Sequence, residues 1–363
     1  MIPPFHMLKI NGKSYTTNDL AEISRERLKF ELPGWEKDIY RFLLQWLNPH
    51  DYIEVETSGS TGKPKNIRLK KDWMVHSAQT TSMFFGLSSN NKGLLCLPTN
   101  HIAGQMMIVR AFVTGLDLLT AEPTANPFRK IKEHVDFVAI TPYQLHHGYH
   151  SLSKFSEKTA VIVGGADVPA GLANKVQDLR PKIYGTYGMT ETCSHVALRK
   201  INGDGASDFF TVLSGIEVSS DERDCLVIDA PLLSPHVLYT NDVVELKNEK
   251  EFKWLGRWDN IINSGGIKVS PENIENKLTS YLKRQVVISS LPDERLGEKI
   301  VLVTEKKDDD NSSAGKDKIM EATRRLIKPY QRPKKVFMLN SIPKTPTGKP
   351  DRLRLKKIIE EGE

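Results

Sequence analysis

Two apolar runs, FVAI at 137–140 and AVIV at 160–163, constrain this chain more than anything else in it. Neither offers a polar face to water, so a strand built from either must be covered on both sides, as in a parallel sheet with helices over each face. Runs of the same kind, GLLCLPTN before them and RPKIYGTYGMTE after, end in Gly, Pro or Thr and alternate with helical stretches such as IAGQMMIVRAFVTG. Earlier, WEKDIYRFLLQWLN sets Trp35, Ile39, Phe42, Leu43 and Trp46 at helical spacing, and YIEVE alternates as a strand. KDWMVHSAQTTSMFFGL reads as a helix entered by charge and left through Gly86.

Character changes after Gly205. Short strands and turns with little helix predict a small distorted sheet or barrel packed on the α/β part. From NSGGIKVSPENIE onward, a turn and helix, the strands QVVISSLPD and KIVLVTEK, the amphipathic helix KIMEATRRLIKP and the strand KKVFMLNSIPKT predict a separate α+β unit. The expected fold class is α/β, with a large domain over residues 1–257 and a small C-terminal domain over 258–363.

Charge and cysteine content narrow the function. Lys and Arg number 51 against 45 Asp and Glu, a net charge of +6 that is dispersed except at RLRLKKIIEEGE, and no nucleic-acid-binding module accompanies it. Cys96, Cys193 and Cys225 are widely spaced without a CxxC pair, which suggests neither a disulfide scaffold nor a structural zinc site. The start MIPPFHMLKINGKSY lacks a basic region followed by an apolar run, and no long apolar segment follows. The expectation is a cytoplasmic protein with no nucleic-acid partner and no membrane insertion. DDD at 308–310 reads as a solvated loop.

The chemistry concentrates in four stretches. TSGSTGKPK at 57–65 packs four hydroxyl residues, two glycines and two lysines together, yet Lys63 is followed by Pro64, so it is not the ATPase phosphate loop. Its hydroxyls, exposed backbone N–H groups and Lys63 still suit phosphate oxygens, as a backbone nest does. YGTYGMTET (184–192) offers Tyr187 as a flat face for a base and Glu191 for a divalent cation against phosphates. YTNDVVEL (239–246) offers Asp242 for the two hydroxyls of a ribose, and PKTPTGKPDR (343–352) carries Lys349 on a glycine-containing tail. Each alone reads as an ordinary turn; the set is chemically complementary.

These segments, with GRWDNIINSGGIKVSPENIE, resemble in order and spacing the signature segments of the adenylate-forming superfamily of acyl- and aryl-CoA ligases. The resemblance covers residues 53–352 and implies a large domain with a small mobile C-terminal domain that rotates between two half-reactions. The first joins a carboxylate to ATP as acyl-AMP, with Mg²⁺; the second lets a thiol, coenzyme A, displace AMP. It implies that Thr57, Ser58, Gly59, Ser60, Thr61, Gly62, Lys63 and Lys65 belong to the loop gripping the β- and γ-phosphates. Gly164, Gly165 and Ala166 would line adenine and the acyl pocket, Tyr187, followed by Gly188, would stack on adenine, and Thr190 would contact the α-phosphate. Glu191 corresponds to the Mg²⁺-associated carboxylate, Asp242 and Arg257 to the ribose pair, Asp259 to the hinge, and Lys349 to the adenylation lysine. Gly265, Gly266 and Lys268 would lie near the thiol tunnel after rotation.

Three departures stand out. Asn241 replaces a glycine before Asp242, in a position that tolerates turns. Asn273 replaces an acid in the segment after Pro271. The stretch preceding Thr57 is 56 residues, shorter than in the family, which suggests a reduced first subdomain and surface that a second copy in a homo-oligomer would cover.

The string GMTETCS resembles most closely the o-succinylbenzoate-CoA ligases of menaquinone synthesis. Their aromatic acid carries a second carboxylate and a ketone, so the pocket would need donors; LPTNHIAGQMMIVRAF resembles the family segment that would set His101, at a strand end, beside the site, and Thr192, Ser194, His195 and Arg110 are the available donors. Another acyl- or aryl-CoA ligase, a stand-alone adenylating enzyme and a non-catalytic module of the same fold stay open as alternatives.

Overall fold

The computed structural model describes residues 7–57, 65–306, 313–345 and 350–362. Its large sheet has thirteen strands. Strands Lys92–Leu95, Phe137–Ile140, Ala160–Val163 and Lys182–Gly188 run parallel, with Asp117–Thr120 beside the first of them. All four residues of FVAI and all four of AVIV are buried. Alternate residues explain why: Phe137 and Ala139 join one core with Met74, Ala78 and Met106, whereas Val138 and Ile140 join another with Leu145, Leu152 and Leu172. The first core lies under helices Lys71–Phe85 and Ile102–Thr114, and the second under Pro142–Leu152 and Ala170–Lys175. A sheet covered by helices on both faces is what runs without a polar side require.

The strands after Gly205 extend this sheet edge to edge. His195–Lys200 pairs antiparallel with Lys182–Gly188, and Phe210–Val212, Glu251–Arg257, Leu238–Asn248, Cys225–Asp229 and Glu217–Ser220 follow outward, each antiparallel to its neighbour. The appended all-antiparallel part is thus hydrogen-bonded to the parallel part through a single strand pair.

Helix Gly34–Leu47 buries Ile39, Phe42, Leu43 and Trp46, the spacing seen in the sequence. Helix Lys71–Phe85 has no side-chain cap at its entry. Instead the Lys71 side chain turns inward and donates to the carbonyl and side-chain oxygens of Asn48, the residue ending the preceding helix. Burial pushes its amine down to about 8.

From Ile262 onward the apolar side chains form cores of their own, one around Ile274, Leu278, Ile288 and Leu302 and one around Leu291, Val301 and Leu355. They fill a five-stranded sheet in which Gly297–Glu305 pairs with Val286–Asp293 and with Lys335–Leu339. Helices Pro271–Leu282, Ser313–Leu326 and Arg352–Glu361 complete this α+β part. A cleft of about 970 Å³ separates it from the large part, lined by Arg199, Asp208, Lys253, Asn273 and Lys277 among others. Asn273 is exposed, whereas its neighbours Glu272 and Glu275 receive Arg352 at 3.6 and 2.8 Å.

Candidate active site

The carboxyl ends of parallel strands are where open α/β sheets bind ligands, because loops leave there in opposite directions and open a crevice. His101 lies beyond Lys92–Leu95, exposed at the position before the helix Ile102–Thr114. Gly164, Gly165 and Ala166 lie directly beyond Ala160–Val163, the first half-buried and the other two exposed. Gly188 ends the next strand, and Thr190 and Glu191 stand in the short 3-10 turn that follows.

Gly188 has a packing reason to be glycine. A Cβ there would stand 2.3 Å from the Ser194 carbonyl oxygen and 2.5 Å from the His195 Cα. Chain closure behind the turn therefore depends on its missing side chain. Thr192 holds the same turn: fully buried, its hydroxyl contacts the carbonyls of Met189 and Ser194 and accepts from the Met189 N–H. The sequence reading put Thr192 among pocket donors; the backbone takes up its hydroxyl, because a turn this tight buries carbonyls that need a partner.

Asp242 is the hub of a hydrogen-bond cluster. Its carboxylate accepts from the Tyr187 hydroxyl at 2.8 Å and from the Trp254 indole at 3.1 Å, with Arg257 further off at 3.5 Å. Tyr187 is half-buried and meets Phe252 edge-on at 5.1 Å between ring centroids. Burial and then the Asp242 carboxylate hold its hydroxyl far above the usual tyrosine range, so it donates and stays neutral. Tyr187 is thus a positioning partner of Asp242 as well as an aromatic surface, a role that the one-letter pattern does not disclose.

Arg257 reaches the other way too. Its guanidinium donates to Asp259 at 2.8 Å, and the second Asp259 oxygen accepts from the Asn241 amide at 3.0 Å. Asp259 sits in the 3-10 turn Trp258–Asn260, immediately before the cores of the C-terminal part begin. Strands Ile262–Ser264 and Ile267–Val269 form a hairpin whose two-residue loop is Gly265–Gly266, with φ of +62° and +80°. Both positions favour glycine, as a type I′ connection demands. Lys268 is exposed and holds its amine 4.5 Å from the Trp258 ring centre.

A second group of polar side chains centres on Arg110. This arginine is 1% exposed, and among the described residues no carboxylate pairs with it. Its only oxygen acceptor there is Ser194 Oγ at 2.8 Å; Met107 sulfur lies at 3.8 Å, the Phe137 ring at 5.8 Å, and Nε has no partner. Burial pulls its guanidinium down to about 9. His195, also buried, bridges Thr81 at 3.1 Å and Ser194 at 3.3 Å. The Thr81 hydroxyl proton goes to the Ser77 carbonyl, so Nε2 of His195 donates to Thr81 and Nδ1 accepts from Ser194. Burial, then the Arg110 charge, hold His195 well below its ordinary range, so the ring is neutral. A directed chain results: Arg110 to Ser194, Ser194 to His195, His195 to Thr81, Thr81 to the backbone.

Glu191 is exposed and makes no hydrogen bond or ion pair among the described residues. A free carboxylate beside open strand ends fits a Mg²⁺ ion, which keeps several waters and takes one or two protein oxygens together with substrate phosphates. Thr57 and Lys65 face each other as the last register pair of the hairpin Tyr52–Thr57 and Lys65–Lys70. Ser58, Gly59, Ser60, Thr61, Gly62, Lys63 and, in the C-terminal part, Lys349 lie outside the described residues, as does DDD at 308–310. Among the described residues no helix is long and apolar enough to cross a membrane.

Known proteins supply the family. Residues 28–214 match the model of the AMP-binding enzyme, and residues 274–349 match that of the AMP-binding enzyme C-terminal domain. The chain belongs to the AMP-binding enzyme family. This AMP-binding enzyme is 34% identical to an acyl-CoA synthetase (AMP-forming)/AMP-acid ligase II-like protein from Dyadobacter fermentans, whose crystal structure superposes with a TM-score of 0.58 over 91% of this chain and 97% of that one. It is 28% identical to a feruloyl-CoA synthase from an Amycolatopsis species over 81% of this chain and 67% of the relative. It is 24% identical to a 2-succinylbenzoate–CoA ligase from Lactococcus lactis, over 96% of this chain and 80% of the relative. The adenylate-forming fold and the AMP-forming acyl/aryl-CoA ligase class follow for this AMP-binding enzyme.

Sequence alone did not single out Trp254 and Thr81, which hold Asp242 and His195. Trp254 stands opposite Val244, diagonal to Asp242 across a strand pairing that the sequence does not display, and Thr81 lies mid-helix, so neither carried a local signal.

Proposed function

We propose that this enzyme uses ATP to activate o-succinylbenzoate as its acyl-adenylate and then passes the acyl group to coenzyme A. The observation that carries the choice of acid is Arg110. A buried guanidinium without a carboxylate is costly, and a second carboxylate on the substrate would supply the missing partner. o-Succinylbenzoate carries such a group beyond the one that reacts. Neutral His195 and the hydroxyl of Ser194 keep the surroundings from competing for it.

In the first step a substrate carboxylate oxygen attacks the α-phosphorus of ATP, and pyrophosphate leaves. Asp242 has about four acceptor positions, two well filled by Tyr187 and Trp254 and one weakly by Arg257, which leaves room for ribose hydroxyls. Gly164, Gly165 and Ala166 face adenine, Thr190 meets the α-phosphate, the loop from Thr57 to Lys65 takes the outer phosphates, and Lys349 stabilises charge on the transferring group. Glu191 would hold Mg²⁺, whose charge would offset that of the phosphates. In the second step the thiol of coenzyme A attacks the acyl carbon and AMP leaves. We read residues 1–257 and 258–363 as the two domains, supported by their separate apolar cores, with Asp259 as pivot and Gly265, Gly266 and Lys268 on the coenzyme A side. A cytoplasmic enzyme fits these substrates.

A hydroxycinnamate is the second reading, favoured by the 28% identical feruloyl-CoA synthase. Ferulate brings no second anion to Arg110. Thioester formation measured with o-succinylbenzoate, ferulate and benzoate separates the two. Preference for o-succinylbenzoate is expected; preference for ferulate would transfer the assignment.

A further inference from the structure

Asn241 stands where the resembling family has glycine, and its side chain is fully engaged. Its amide N–H donates to Asp259 at 3.0 Å, and its oxygen accepts from Arg223 Nη1 at 3.0 Å. A donor on one side and a carboxylate on the other fix the amide orientation without ambiguity. Arg223 is itself held by Asp221 at 2.7 Å and reaches the Thr240 carbonyl at 3.3 Å. Its guanidinium carbon also lies 5.7 Å from the ring centre of Trp258, the residue next to Asp259. The network runs from Asp221 through Arg223 and Asn241 to Asp259, then through Arg257 to Asp242. The turn at Trp258–Asn260 is therefore tied to the large part by two separate donors on one carboxylate.

We infer that Asn241 is a positioning residue that latches Asp259 in the arrangement seen here and so sets the balance between the two orientations of the C-terminal domain. The inference rests on Asp259 being the pivot. A pivot must change its backbone dihedrals during rotation, which carries its carboxylate away from fixed donors. Arg257 is long and flexible enough to follow the carboxylate. The Asn241 amide is short, sits on the strand Leu238–Asn248 and is pinned by Arg223, so its bond must break. This bond is exposed, so solvent screening reduces it to the strength of an ordinary hydrogen bond, a bias of about 3- to 10-fold on a two-state equilibrium. Glycine at this place makes no such bond.

Two variants grade the effect. Asn241→Gly removes the donor; Asn241→Asp keeps the shape and the Arg223 contact but sets a like charge against Asp259. The three native cysteines are buried, so spin labels can be placed at Lys132→Cys in the large part and Lys318→Cys in the C-terminal part, both exposed positions. Pulsed electron-electron resonance then gives the distance distribution between the parts. Both variants are expected to move population out of the wild-type distance peak, Asn241→Asp more than Asn241→Gly. With the full enzyme, the ratio of thioester formation from supplied acyl-adenylate to adenylate formation should shift about 3- to 10-fold in Asn241→Gly and further in Asn241→Asp. Distance distributions that superimpose on wild type in both variants overturn the latch, as does Asn241→Asp behaving like wild type while Asn241→Gly does not. Absence of adenylate formation by the wild type with any acid would instead reject the ligase reading, while the distances still judge the latch.

Discussion

Arg110 donates to Ser194 at 2.8 Å, and that hydroxyl is the only oxygen the buried guanidinium meets among the described residues. Its charge is thus better matched with a bound anion than without one. Arg110→Met should lower kcat/KM for o-succinylbenzoate by about 10²-fold or more, the scale for removing one side of a desolvated charge pair. The same variant should change kcat/KM for benzoate far less and should raise the melting temperature, since an uncompensated buried charge is removed. Equal losses for both acids would make Arg110 a structural residue.

His195 predicts a pH dependence of stability. Burial and the Arg110 charge hold its folded pKa well below the ordinary value of 6.5. Below that value the unfolded chain binds a proton that the native ring refuses, so stability falls as pH drops, by about 1.4 kcal/mol per pH unit for this group. His195→Gln cannot titrate, and urea midpoints from pH 7.5 to 5 should fall less steeply in it than in wild type. Parallel curves would mean that the buried ring accepts a proton after all.

If Asp242 takes the ribose hydroxyls as proposed, Asp242→Asn should weaken ATP by about 1.5 to 3 kcal/mol, the range for hydrogen bonds to a charged acceptor. Calorimetry with 2′,3′-dideoxy-ATP should show a much smaller change, because that analogue has no hydroxyls to lose. If both nucleotides weaken alike, Asp242 serves only to hold Tyr187 and Trp254.

Gly188→Ala tests the turn that carries Thr190 and Glu191. The added Cβ would press on backbone atoms at 2.3 and 2.5 Å, which cannot rotate away. A loss of about 1 to 3 kcal/mol or more in chemical denaturation is expected. Gly34→Ala, where nothing lies within 4 Å, should cost nothing. Similar small effects at both would show that the strand ends shift to make room.

The parallel sheet was legible because FVAI and AVIV have no polar side, and the helices because Ile39, Phe42, Leu43 and Trp46 keep their period. Motif order drew attention to Asp242, Arg257 and Asp259, but not to the hydrogen bonds that join them. That Tyr187 binds Asp242, that Asn241 binds Asp259 and that Thr192 serves its own turn depend on pairings across strands far apart in sequence, which local pattern does not encode. The same limit hid the edge-to-edge continuation of the sheet beyond His195–Lys200. Arg110 stood in the sequence as one of four candidate donors; only tertiary burial distinguishes it as the one left without a carboxylate among the described residues.

Acid-dependent exchange of labelled pyrophosphate into ATP isolates the adenylation step, with no coenzyme A present. With Mg²⁺, the wild-type enzyme should exchange label when o-succinylbenzoate is added, about tenfold or more faster than with benzoate, the discrimination one desolvated charge contact supplies. Exchange with benzoate or ferulate and none with o-succinylbenzoate would contradict the assigned acid, and no exchange with any of the three would contradict the account as a whole.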